Sequence, residues 1–162
     1  MLPLRHRRPG FTLIELVIVL AIVAILAMLA VPSYQDRVIR KQVVEGVELI
    51  GFVRQAVQAF YTAEHKMPAN NAAASLPAAT QIVGTYVGNV AVADGAITIT
   101  FGNRANPSLA GKRLTLRPAV VEAAPVVPIA WVCAHASPPN GMTLVGFDAT
   151  DLPAQYLPLN CH

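Results

Sequence analysis

Gly10-Phe11-Thr12-Leu13-Ile14-Glu15-Leu16-Val17-Ile18-Val19-Leu20 opens a long apolar run in which a single carboxylate is embedded. From Leu16 through Val31 every residue is apolar, and the 21 positions from Phe11 to Val31 are interrupted only by Thr12 and Glu15. A helix of about 20 apolar residues matches the hydrocarbon thickness of a bilayer. An acidic side chain in such a helix costs on the order of 2.5–3.5 kcal/mol near the membrane centre, and less toward the end, where Glu15 lies. Glu15 therefore calls for a partner that compensates its charge.

Arg5, Arg7 and Arg8, with His6, precede the run, and basic flanks favour the cytoplasmic side. Residues after about Val31 are then expected beyond the membrane, with the bulk of the chain extracytoplasmic. A secretory signal peptide carries its cleavage site after an apolar core of about 7–15 residues, whereas Gly10 comes before the run, so removal of the whole helix is not expected. A plain membrane anchor fits the run and the basic flank but gives no reason for Glu15. The chain holds 12 Lys and Arg against 9 Asp and Glu. Loss of the leader with Arg5, Arg7 and Arg8 would leave nine of each, a formally neutral chain.

The order of basic leader, Gly10, Phe11, Thr12, Leu13, Ile14 and Glu15 resembles the N-terminus of the type IV prepilin family. That resemblance implies cleavage between Gly10 and Phe11 by a membrane-embedded prepilin peptidase, and N-methylation of the new Phe11 amine. It further implies handling by an inner-membrane pilus assembly platform and polymerisation with other pilin subunits, with Glu15 facing the Phe11 amine of a neighbour. The expected organisation is a leader over residues 1–10, a transmembrane and filament-core half-helix over 11–32, and a globular domain over 33–162 that includes the rest of the helix.

Pro32 follows the apolar run, and a proline inside a helix removes one hydrogen bond and bends or stops it. The helical period nevertheless resumes. Ile39, Val43, Val47, Ile50, Val53, Val57 and Phe60 recur three and four apart, with Asp36, Arg40, Glu45, Glu48, Arg54, Gln55 and Gln58 mostly elsewhere. One element from Phe11 to about Ala63, roughly 80 Å long, is expected, its second half packed on a sheet. Gly46 and Gly51 weaken it by about 1 kcal/mol each relative to alanine, and allow close approach or bending.

Turn residues from His65 to Asn71 end the helix, and a loop runs to about Gln81. Tyr86–Val92 and Ala96–Phe101 flank Asp94-Gly95, a strong hairpin signal. Arg113–Arg117 alternates, placing Leu114 and Leu116 on one face and Arg113, Thr115 and Arg117 on the other, and Ile129–Ala134 makes a fourth strand. The expected fold is α+β, a long N-terminal helix across a four-stranded antiparallel sheet. The resemblance extends here more loosely: the hairpin at Asp94-Gly95, the strand ending in Pro118, Trp131 two residues before Cys133, and Leu157-Pro158 before Cys161 are similar to the pilin domain.

Cys133 and Cys161 are the two cysteines of the chain, and both lie in the part assigned to an oxidising compartment, where disulfides persist. A bridge between them is expected, worth roughly 3.5 kcal/mol by chain entropy. His135 and His162 lie near the cysteines without the spacing of a metal site, so no metal or cofactor is expected. In the family the corresponding loop lies on the filament surface, which makes residues 134–160 the expected surface-interaction region.

No catalytic motif is present and an enzyme is not expected. The leading reading is a structural subunit of a type IV pilus, held in the inner membrane with its N-terminus cytoplasmic before assembly and then extracellular, serving adhesion or twitching motility through a host or surface ligand. Arg104, Lys112, Arg113 and Arg117 could instead form a basic stripe against phosphates, which would make a minor or competence pilin that binds DNA. A pseudopilin of a type II secretion system shares the N-terminal signature.

Overall fold

Two helices replace the single one expected. The computed structural model describes residues 10–122, 124 and 126–161, leaving out the side chains of residues 29–33 and 160. The leader arginines and His162 therefore lie outside the described residues. Helix α1 spans Leu13–Leu49 and α2 spans Gly51–Glu64. The interruption is at Ile50 (φ −80°, ψ 11°), whose side chain is fully buried; the backbone turns there, just before Gly51, while the apolar anchor stays in the core. Pro32, where a bend or stop was expected, falls inside α1, because proline removes only one backbone donor from the ladder. In α2 Tyr61 rather than Phe60 continues the buried series Val53 and Val57.

The chain divides into two compact units, one ending at Asp36 and one beginning at Arg37. In the first, the apolar side chains from Leu13 to Met28 are exposed and build no core. Among the described residues no helix is long and apolar enough to cross a membrane; the side chains at the end of the apolar run, residues 29–31, fall outside that description.

In the second unit the sheet runs β1 (Val87–Ala93), β2 (Ala96–Phe101), β3 (Arg113–Val120) and β4 (Ala130–Cys133), all antiparallel neighbours in that order. A two-residue β5 (Thr143–Leu144), not expected from the sequence, also pairs with β3. Asp94 (φ 47°) and Gly95 (φ 80°) close the β1–β2 hairpin, the positive φ at both positions that a tight two-residue turn of this hand requires. Ile39, Val43, Ile50, Val53 and Val57 from the helices pack with Val90, Ile97, Ile99, Phe101, Leu114 and Leu116 from the sheet. Gly46 lets the helix approach: a Cβ there would stand 2.8 Å from the ring of Phe101.

Strand β3 continues through Pro118, three residues beyond the expected Arg117 end. Val145 donates to the Pro118 carbonyl at 2.9 Å, so the proline's groups face the β2–β5 edge. Pro118 lies past the last β2 partner, Leu116, and before the first β5 partner, Ala119. A nitrogen without hydrogen costs no ladder bond in that gap.

The expected exposed face of β3 is covered. Thr115 is 0% exposed, because residues 143–151 cross that face from one edge of β3 to the other. Their start pairs with Ala119 and Val120, Gly146 lies against Ala96, Ala149 N–H donates to Thr115 Oγ1 at 3.2 Å, and Thr150 Oγ1 accepts from Thr115 N–H at 3.0 Å.

The loop after α2 seals the outer edge of β1. Asn71 donates through Nδ2 to the Val90 and Pro77 carbonyls and accepts at Oδ1 from Val92 N–H at 2.7 Å. Its amide stands in for a strand's peptide group.

Candidate functional site

At the start of α1, Thr12 Oγ1 accepts a hydrogen bond from the Glu15 backbone N–H at 3.3 Å, and the Thr12 carbonyl accepts from Leu16 N–H at 3.2 Å. Thr12 is thus the N-cap, and Glu15 holds the third helical position of a Thr-x-x-Glu capping pattern. Its carboxylate also lies in the first turn, where the helix dipole favours a negative charge. Glu15 therefore has a local role at the helix start, and the spacing Thr12-Leu13-Ile14-Glu15 is its sequence signal. Gly10, Phe11 and Glu15 are all exposed.

Cys133 and Cys161 form the expected disulfide, with Cα atoms 4.7 Å apart. The region they bound is less free than a surface loop: Leu152, Tyr156 and Leu157 are buried in the core, and Arg40 Nε donates to the Gln155 carbonyl. Phe147, by contrast, is 82% exposed on the outer side of the crossing segment.

The four basic residues do not form a uniform free stripe. Arg113 Nε pairs with Asp151 Oδ2 at 3.1 Å. Arg117 donates through Nη2 to the Ala134 carbonyl and lies 4.0 Å from Asp148 Oδ2, its side chain only 17% exposed. His135 Nδ1 is 2.8 Å from the same Asp148 oxygen, so this histidine is engaged with the carboxylate that Arg117 also faces. Burial alone would raise the pKa of Asp148, but hydrogen bonds from Thr150 and the nearby His135 and Arg117 hold it below 3.8. Asp151 is likewise lowered: burial opposes ionisation, and the Arg113 backbone and guanidinium outweigh it. Arg104 remains exposed and Lys112 half-buried. Sequence reading missed Asp148 and Asp151, since the arginines they pair with lie more than 30 positions away in the chain.

A family model for pilin, a bacterial filament protein, matches residues 40–162, and the prokaryotic N-terminal methylation motif matches residues 5–31. The chain belongs to the type IV pilin family. This pilin is 44% identical over 108 residues to a fimbrial protein of Neisseria meningitidis, an alignment covering 66% of this chain and 64% of that protein, just under two thirds of its length. It is 36% identical over 158 residues to the type IV major pilin protein PilE1 of Neisseria gonorrhoeae, covering 94% and 86% of the two chains. To the fimbrial protein EcpC of Eikenella corrodens it is 34% identical over 163 residues, covering 98% and 93%. The pilin family is a structural one, and this pilin has its fold: a long N-terminal helix, an antiparallel sheet and a C-terminal disulfide.

Proposed function

We propose that this pilin is made as a membrane-anchored precursor, loses residues 1–10 by cleavage between Gly10 and Phe11, is N-methylated on Phe11, and polymerises through the N-terminal helix into an extracellular type IV pilus. One observation carries the reading: Gly10, Phe11 and Glu15 stand in the methylation motif at the point where α1 begins. In the filament, Glu15 of one subunit approaches the cationic Phe11 amine of another, and in apolar surroundings that pairing offsets the cost of desolvating both charges. The prepilin peptidase and the inner-membrane assembly platform are the expected processing and export partners.

Attachment to surfaces through residues 134–160, where Phe147 is exposed, is favoured over DNA capture. A phosphate-binding stripe needs free guanidinium groups, and Arg113 and Arg117 are engaged with Asp151, Asp148 and the Ala134 carbonyl.

N-terminal sequencing of membrane-fraction protein tests the processing step. The chain should begin at Phe11, and Gly10→Leu should retain the leader. A fully processed Gly10→Leu protein would refute the assigned cleavage.

A further inference from the structure

The face of α1 from Arg37 to Glu48 is divided between contacts within the domain and an unpartnered stripe. Ile39, Val43, Gly46 and Ile50 are buried toward the sheet. On the flanks Arg40 donates to the Gln155 carbonyl, and Gln42 Oε1 accepts from Asn106 N–H at 2.9 Å. Arg37, Lys41, Val44, Glu45 and Glu48 remain exposed. At about 100° per residue they fall within an arc of about 100°, opposite the buried side. Among the described residues, none of these four charges is in an ion pair.

The order of signs within this stripe is unfavourable to a single subunit. Arg37 and Lys41 place like charges four apart, and Glu45 and Glu48 place like charges three apart, both mildly destabilising on a helix. The one oppositely charged pair at four-residue spacing, Lys41 and Glu45, has the cation first, which is the weaker orientation. Between two copies the same order is complementary. All copies leave the membrane in one direction, so neighbouring helices run parallel, and parallel copies in level register would oppose like charges. A stagger of seven to eight residues, about 10–12 Å along the axis, sets Arg37 of one copy beside Glu45 of the next and Lys41 beside Glu48. We propose that this stripe is a self-complementary interface that fixes the axial stagger between neighbouring copies of this chain, an inference that rests on the filament reading above. Its charges give register more than raw affinity, since wrong registers juxtapose like signs.

The test compares three variants with wild type in cells lacking any other copy of the chain, reading the amount of this subunit in sheared filaments relative to the membrane fraction. Arg37→Glu with Lys41→Glu makes the stripe wholly acidic, and Glu45→Lys with Glu48→Lys makes it wholly basic. Each should lower incorporation by roughly tenfold or more. The fourfold inversion restores complementarity with reversed signs and should recover incorporation. An intact Cys133–Cys161 linkage in each variant controls for folding. Wild-type incorporation by either half-inverted chain, or failure of the fourfold variant to recover, overturns the proposal. Absence of the wild-type subunit from filaments would instead overturn the filament reading, and this inference with it.

Discussion

Asp151 grips Arg113 at three points: its carboxylate accepts from the Arg113 backbone N–H at 2.6 Å and from the guanidinium Nε at 3.1 Å, while its own N–H donates to the Arg113 carbonyl at 3.1 Å. The grip pins the end of the segment that crosses β3. Arg113 here, and Arg117 beside Asp148, are thus spent on holding the protein's own chain.

This arrangement predicts acid sensitivity. The pKa of Asp148 and of Asp151 is lowered from 3.8 in the folded state, so their contribution is complete above that value and is lost as pH falls through the depressed native values. Both pairs are partly solvated, so Asp151→Asn should cost only about 1 kcal/mol at neutral pH. The double variant with Asp148→Asn should lose less stability than wild type between pH 7 and a pH well below 3.8. Urea unfolding at the two pH values reads this, and equal acid losses in both proteins would contradict it.

Gly46 and Gly51 should respond oppositely to alanine. At Gly46 the new methyl group meets Phe101, which is 1% exposed and cannot move aside; an overpacking cost of about 1–3 kcal/mol exceeds the gain of about 1 kcal/mol in helix propensity. At Gly51 nothing lies within 4 Å of the added atom, so alanine should stabilise by about 0.5 kcal/mol, less than in a helix interior. Thermal unfolding of the two variants should move in opposite directions.

Asn71 is 8% exposed and satisfies the free edge of β1. Asn71→Ala should destabilise by about 2–4 kcal/mol, because it strands the Val92 N–H and the Val90 carbonyl in a buried place. Asn71→Asp should also destabilise, since a carboxylate facing the Val90 carbonyl has no donor to offer. Hydrogen exchange at the Val92 amide should accelerate in Asn71→Ala, which removes its acceptor; unchanged protection there would count against the edge role.

Local signals foretold much of this architecture. The hairpin at Asp94-Gly95 and the bounds of β2 follow from turn chemistry and alternation, and the methylation motif is contiguous in sequence. The failures share one physical cause, which is that distant chain segments decided them. Thr115 alternates like an outward residue but is covered by residues 149 and 150, and Pro118 fits a central strand only because β2 and β5 leave a gap at its nitrogen. The two-residue β5 is too short to carry a pattern. The break at Ile50 is masked by an apolar period that continues across it, and the cap at Thr12 by the overlap of the Thr-x-x-Glu pattern with the start of the apolar run.

The proposed filament depends on the Glu15 charge pairing between subunits. Glutamine can replace glutamate in the capping pattern, so Glu15→Gln retains the local helix-start role and removes only the charge. The decisive measurement is the ratio of this subunit in sheared filaments to that in the membrane fraction, for wild type, Glu15→Gln and Glu15→Ala. Intersubunit charge pairing predicts membrane abundance at or above wild type for both variants and sharply reduced incorporation for both. Wild-type incorporation of Glu15→Gln would contradict the intersubunit charge pairing and leave Glu15 as a helix cap alone.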